Sequence, residues 1–162
     1  MTLSADTITV MQKSQKIPRL SPELSELLES KATMKRLPQT EEIFKRFEIG
    51  LYEAALRSNP NNVEALRSLG YIYSSEGLHD KAVEIDKRLV RLLPDESIVH
   101  YNLACSYSQL NNLEGALNEL EMSMLLGYND WKHMDGDKDL DNLKKDPRYQ
   151  QILSTLKKKY IV

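Results

Sequence analysis

The chain has 162 residues, enough for one domain with a modest core. Hydrophobic residues make up 41% and charged residues 28%, an ordinary balance for a soluble protein. Because 22 basic residues nearly balance 24 acidic ones, no overall electrostatic field attracts nucleic acid or an anionic membrane. The single cysteine, Cys105, cannot form an internal disulfide. Neither a signal peptide nor an apolar run of membrane-spanning length is visible. These features predict a soluble, cytoplasmic protein that binds neither nucleic acid nor membrane.

The N-terminal part of the chain predicts a mobile tail followed by two helices. Residues 1–20 show no apolar period, and we expect them to form the tail. Ser21 and Pro22 make a favourable helix start, and leucines recur behind them at helical spacing. A second helix carries one apolar stripe, formed by Ile43, Phe44, Phe47, Leu51 and Ala55. Residues 21–58 are therefore predicted to be a degenerate helical pair that begins a single domain over 21–158.

Two stretches in the middle of the chain, 62–94 and 97–128, share one pattern of small and large residues. The matched positions lie 34 residues apart, by subtraction of residue numbers: Leu69 and Leu103, Gly70 and Ala104, Tyr73 and Tyr107, Ala82 and Ala116. This period and this pattern resemble the tetratricopeptide repeat (TPR) family, W-x2-L-G-x2-Y, then A-x3-F, then P. The resemblance implies an all-α, right-handed solenoid of antiparallel helix pairs. About two full repeats would follow the degenerate pair.

The repeat pattern has a physical reason. Gly70 and Ala82 are small enough to let the two helices of a repeat approach closely, and Gly77 marks the turn between them. Two positions depart from the pattern. Asp86 stands where a large aromatic residue is expected, and His100 stands at the first apolar position of the second repeat. We expect Asp86 to lie at a loosened edge or beside a basic residue.

Residues 129–158, which we call the closing segment, resemble the segment that ends the array in many bacterial TPR proteins. That segment reads D-L-x-x-L-x-x-D-P-R-[FY]-x-x-[LI], and it is matched here by Asp139, Leu140, Leu143, Asp146, Pro147, Arg148, Tyr149 and Ile152. A solenoid must cover the apolar end of its last repeat. The resemblance thus implies a capping helix from Pro147, with a buried face formed by Tyr149, Ile152, Leu153 and Leu156.

Residue types that could support chemistry are present, but not in catalytic or metal-binding spacing. Four aspartates alternate from Asp135 to Asp141, yet the glycine and glutamate that an EF-hand loop requires are replaced by Leu140 and Asp146. The three histidines share no ligand spacing with Cys105, and no phosphate-binding loop or nucleophile elbow occurs. The sequence therefore predicts no enzyme, no metal site and no cofactor.

The TPR resemblance also implies a binding groove, because the first helix of each repeat lines the concave side of such arrays. The family's groove positions fall on two sets of residues: Glu64, Arg67, Ser68, Tyr71, Ser74 and Ser75, and then Ile98, Tyr101, Asn102, Cys105, Ser108 and Gln109. The tyrosines offer flat apolar area, and the amides can pair with a peptide backbone. A carboxylate clamp of the chaperone-binding type is disfavoured, since the third repeat that would complete it is broken.

These observations predict a protein-interaction module, an adaptor or scaffold that holds a peptide or helix of a partner in its groove. The alternative is a small TPR-type chaperone for a secreted or assembling client. A third option, a metal-binding protein or enzyme, rests only on the aspartate loop. The identity of the partner and the possibility of a homodimer stay open at this point.

Overall fold

The structure is a computed structural model that describes residues 38–160, with side chains described for residues 41–157. The predicted tail over 1–20 and the predicted helix after Ser21 lie outside the described residues. The chain divides into two units, Met1–Glu42 and Ile43–Val162. Every residue whose contacts are described below belongs to the second unit.

The described part of the chain is helical and contains no strand, which confirms the predicted all-α fold class. Two short 3-10 turns, Lys138–Leu140 and Leu143–Lys145, lie within the closing segment. The helices are α1 (Pro38–Ser58), α2 (Val63–Ser75), α3 (His79–Leu92), α4 (Ser97–Gln109), α5 (Leu113–Leu125), α6 (Trp131–Gly136) and α7 (Pro147–Tyr160). Helices α2 and α3 pack together as one repeat, α4 and α5 as the next, and α3 packs on α4 between them.

Helices α2 and α4 end in the same way, as a repeat requires. Gly77 and Asn111, which are 34 residues apart, both have a left-handed backbone, with φ of 72° and 56°. The Leu78 N–H then donates to the Tyr73 carbonyl at 2.8 Å, and the equivalent bond after α4 is 2.9 Å. This is the Schellman pattern, which stops a helix and turns the chain back. The predicted turn at Gly77 is confirmed.

Close approach of helices within the first repeat explains its glycine. A Cβ added to Gly70 would lie 3.1 Å from Asp86 Oδ1 and 3.4 Å from Ile85 Cγ2. Ala82 is fully buried in the same repeat. Larger side chains at these positions would therefore push α3 away from α2.

Asp86 and His100, the two departures from the repeat pattern, are both buried polar residues. The expectation for Asp86 was wrong, because it lies neither at an edge nor beside a basic residue. Its carboxylate instead accepts a hydrogen bond from the Ser106 hydroxyl at 2.6 Å. His100 uses both ring nitrogens, with Nδ1 2.6 Å from a Glu119 carboxylate oxygen and Nε2 2.9 Å from the Pro94 carbonyl oxygen.

The buried apolar residues form two clusters, one for each repeat. The first joins α2 and α3 to the start of α4 through Leu66, Leu69, Tyr73, Ala82, Ile85, Leu89 and Val99. The second joins α4 and α5 to the closing segment, which contributes Met134, Leu140, Leu143, Tyr149, Leu153 and Leu156. The closing segment thus completes the core of the last repeat. Of the predicted cap face, Tyr149, Leu153 and Leu156 are buried and Ile152 is partly buried.

Helix α1 carries the predicted apolar stripe, but most of the stripe is not buried. Ile43, Phe44, Phe47 and Leu51 are 65%, 63%, 67% and 55% exposed. Ile49, Tyr52 and Leu56, on another side of the helix, pack against the first core cluster. Helix α1 therefore joins the repeats through one face and presents an aromatic face to solvent.

Candidate functional site

A cavity of about 380 Å³ lies between α2, α3, α4 and the closing segment, and we call it the groove cavity. It is within the size range of ligand-binding pockets. Residues from both repeats and from the closing segment meet there. The lining residues are Arg67, Gly70, Tyr71, Ser74, Asp86, Leu89, Tyr101, Asn102, Cys105, Ser106, His133, Asp137 and Asp139.

The structure brings half of the predicted groove residues together around this cavity. Those that line it are Arg67, Tyr71, Ser74, Tyr101, Asn102 and Cys105. Tyr71, at 77% exposed, and Asn102, also exposed, form an accessible rim. The predicted residues that do not line it are Glu64, Ser68, Ser75, Ile98, Ser108 and Gln109.

The predictions for Ser108 and Gln109 are corrected by the path of the closing segment. Ser108 is fully buried, and its hydroxyl accepts a hydrogen bond from the Leu143 N–H at 3.3 Å. Gln109 donates through Nε2 to an Asp139 carboxylate oxygen at 3.0 Å. The chain's own closing segment therefore occupies the end of α4, where the family pattern implied an open groove.

Tyr101 also differs from its predicted role as an exposed aromatic residue. Only 2% of its surface is accessible, and its ring stacks on Tyr128 with 4.3 Å between ring centroids. Its hydroxyl donates to Asp137 Oδ2 at 2.7 Å. Tyr101 thus holds the closing segment against α4 and forms part of the cavity wall.

The closing segment brings two carboxylates to the cavity, those of Asp137 and Asp139. Asp137 accepts hydrogen bonds from Tyr101 and from the Asp139 N–H, the latter at 2.9 Å. Burial, and after it the charge of Asp137, raises the pKa of Asp139 above its ordinary value. Hydrogen bonds therefore hold both side chains in place, that of Asp137 from Tyr101 and that of Asp139 from Gln109.

Asp86 contributes a third carboxylate, which is 5% exposed. Burial raises its pKa to about 6, although the hydrogen bond from Ser106 acts in the opposite direction. No lysine, arginine or histidine of the described residues pairs with it. Arg67 lines the same cavity, but its guanidinium pairs with Glu96. Asp86 is therefore a buried carboxylate that has no cation beside it.

Cys105 faces Asp137, with 3.7 Å between Sγ and Oδ2. Burial, and after it the charges of Asp137 and Asp139, raises the thiol pKa well above its ordinary value. A nucleophilic cysteine needs a lowered pKa. The site therefore favours a packing role for Cys105.

Metal-binding geometry does not arise from the alternating aspartates. Among residues 38–160, no group of three or more histidine, cysteine, aspartate or glutamate side chains is placed to hold an ion. Asp137 and Asp139 face the groove cavity, whereas Asp141 lies 3.4 Å from the Lys144 ammonium. In the same part of the chain, every helix is too short or too polar to cross a bilayer.

None of the four carboxylate and histidine residues at this site was predicted as a groove residue: Asp86, His133, Asp137 and Asp139. Asp137 and Asp139 were recognised only among the alternating aspartates, and Asp139 also as part of the closing motif. The alternation of aspartates was a visible signal, but their distance along the chain from α4 concealed that they meet it. The Asp86 departure from the repeat pattern was the other available signal.

Comparison with known proteins agrees with a helical repeat. The tetratricopeptide repeat profile matches residues 51–84. A curated relative, a protein of Arabidopsis thaliana whose name describes it as chloroplastic, is 30% identical over 95 residues. That alignment covers 57% of this chain and 28% of the relative, so the chain spans well under half of the relative's length. Both matches support a tetratricopeptide repeat protein, and the repeat profile itself covers 51–84.

Proposed function

We propose that this protein is an adaptor or scaffold that holds a peptide or helix of one protein partner at the groove cavity. Repeats of this family generally mediate protein–protein interaction. The observation that carries the proposal is the cavity itself, with preformed polar walls and an accessible rim of Tyr71 and Asn102. Aromatic and amide side chains at such a rim suit peptide recognition. We propose no catalytic role, because no nucleophile with an activating base is among the described residues that line the cavity.

The test removes the rim and leaves the wall intact. Tyr71→Ala combined with Asn102→Ala should leave helicity nearly unchanged, since exposed substitutions usually cost about half a kcal/mol or less each. Tyr101 is excluded from this variant because it is buried. The matched control is Asn118→Ala with Met122→Ala, two exposed residues of α5.

Affinity purification from the source cell, with mass spectrometry, identifies the partner that the wild-type protein retains. The rim variant should then bind that partner at least about tenfold more weakly, since anchors at interfaces carry much of the binding energy. The control should bind as the wild type does. Full binding by the rim variant would show that the partner uses another surface.

A chaperone for a secreted or assembling client is the second candidate, and the exposed aromatic face of α1 favours it. Contiguous exposed apolar residues mark interaction surfaces in soluble proteins. Phe44→Ser with Phe47→Ser should then abolish protection of the client from aggregation, measured by light scattering, while the rim variant keeps it. A partner that stays soluble alone would favour the adaptor.

A cytoplasmic location remains a proposal from the composition, as does the absence of nucleic-acid and membrane binding. The relative's name places that plant protein in the chloroplast. Fluorescence microscopy of the full chain fused to a fluorescent protein tests the location. Sedimentation analysis of the purified chain tests for a homodimer.

A further inference from the structure

The groove cavity is unusual in its charge. Three carboxylates line it, from Asp86, Asp137 and Asp139, against one arginine and one histidine. The arginine, Arg67, is already paired with Glu96. The histidine, His133, lies beside one of the carboxylates, with 3.9 Å between its Nδ1 and Asp137 Oδ2. The wall of the cavity therefore carries more carboxylates than cationic residues.

Asp86 provides an observation that is independent of this clustering. It comes from α3, far in sequence from the closing segment, and it lies in the wall with 5% of its surface exposed. Its one hydrogen bond comes from a neutral hydroxyl, that of Ser106. Buried carboxylates are ordinarily paired with a cation, because burial without one is costly. A charged group that enters the cavity would supply the missing partner.

The other two carboxylates have the capacity to accept further hydrogen bonds. Each carboxylate offers about four lone-pair positions. Gln109 Nε2 donates a hydrogen bond to Asp139 Oδ1 at 3.0 Å, and the Tyr101 hydroxyl donates one to Asp137 Oδ2 at 2.7 Å. These bonds fix both groups in place. Asp137 also accepts from the Asp139 N–H and has Cys105 Sγ and His133 Nδ1 within 4 Å of Oδ2, so Asp139 keeps more capacity for a further donor than Asp137 does. The accessible ring of Tyr71 stands at the rim, where it can cover the stem of a long side chain or face its charge.

We infer that the groove cavity binds a cationic side chain, arginine or lysine, of the partner peptide, with Asp86, Asp137 and Asp139 as its acceptors. This inference rests on the proposed function, since it names the chemistry of the partner that the groove holds. Arginine suits the site well because its planar guanidinium can donate to more than one carboxylate at once. The acidic wall would also repel peptides rich in aspartate and glutamate.

The experiment uses blocked single residues as probes. N-acetyl-arginine methylamide, N-acetyl-lysine methylamide, and the glutamine and glutamate equivalents are titrated into the full-length 15N-labelled chain and followed by NMR. The cationic probes should shift the amide signals of the cavity residues in a saturable way. The glutamine and glutamate probes should leave those signals unmoved.

Two variants assign the effect to the carboxylates. Asp86→Asn and Asp139→Asn should each raise the Kd of the arginine probe by about fivefold to tenfold, as expected for loss of a charged hydrogen-bond partner. Glu121→Gln, at an exposed position on α5, is the control and should bind as the wild type does. Asp137 is left in place because it anchors Tyr101 and the Asp139 backbone.

The failure of this inference is distinguishable from the failure of the proposed function. If the rim variant loses the partner while cationic and neutral probes behave alike, the groove binds a partner but not through a cation. If the cationic probes bind and the carboxylate variants bind them equally well, the acceptors are wrong and the inference falls. If the rim variant retains the partner, the proposed function falls, whatever the probes show.

Discussion

Replacing Asp86 with asparagine removes a buried charge and keeps the shape of the side chain. The amide oxygen of the variant can still accept the hydrogen bond that Ser106 donates at 2.6 Å in the wild type. Loss of the charge should therefore stabilise the fold at neutral pH. The same change should weaken cation binding in the cavity, so stability and binding should move in opposite directions.

The magnitude follows from the pKa of Asp86, which burial raises from an ordinary 3.8 to about 6. Because the folded state holds the proton more tightly than the unfolded state, ionisation costs stability. The cost is absent below pH 3.8, grows as the pH rises, and is complete above about pH 6. A pKa difference of this size lowers the free energy of unfolding by roughly 3 kcal/mol at pH 7 and by about 1 kcal/mol at pH 4.5.

Urea unfolding of Asp86→Asn and wild type at pH 4.5 and pH 7 measures this difference. The variant should be more stable at both values, with an advantage about 2 kcal/mol larger at pH 7. Arg67, His133, Asp137 and Asp139, which line the same cavity, are present in both proteins, so their titration largely cancels in the comparison.

Asp95→Asn, an exposed aspartate, is the control and should change stability by no more than about 0.5 kcal/mol at either pH. A destabilised Asp86→Asn protein would refute the reasoning. An advantage of equal size at the two pH values would also refute it, because the gain would then not come from removal of an ionisable group.

Three further predictions concern packing, capping and metal. Gly70→Leu should lower the free energy of unfolding by about 1–3 kcal/mol, because the larger side chain forces α3 away from α2. The control, Gly50→Ala, has open space around it and should raise that free energy by up to about 1 kcal/mol. Equal urea midpoints for the two variants would show that the helix contact is wrongly placed. A chain that ends at Lys145 loses α7 and should melt at a lower temperature and self-associate in light scattering, and a monomer with unchanged melting would contradict the capping role. Calcium at about 1 mM should leave the melting temperature unchanged, because we expect no calcium site over Asp135 to Asp146 and only binding to the folded state would raise that temperature. A large rise in the melting temperature would contradict this prediction.

Much of the fold was predictable because the residues that set helix packing recur in both repeats, 34 positions apart. Gly77 and Asn111 mark the ends of α2 and α4, because glycine and asparagine tolerate a left-handed backbone. Gly70 indicates a close contact between α2 and α3, because glycine has no side chain. Such signals are local or periodic, so they need no knowledge of distant parts of the chain. The rim residues Tyr71 and Asn102 followed from the same register.

What only the tertiary structure decided is how the closing segment returns along α4. Met134, Leu140 and Leu143 bury themselves in the second core cluster, and their burial carries Asp137 and Asp139 to the edge of the groove. The same path covers Ser108 and sets Tyr101 under Tyr128. The pairing of Asp86 with Ser106 likewise joins α3 to α4.

These contacts join residues about twenty or more positions apart, and apolar burial selects them without reference to the polar residues that they displace. An alternating run of aspartates reads the same in a sequence whether it faces solvent or a cavity. The register of the repeat therefore predicts the rim residues, whereas Asp137 and Asp139 join the cavity wall only because the closing segment folds back along α4.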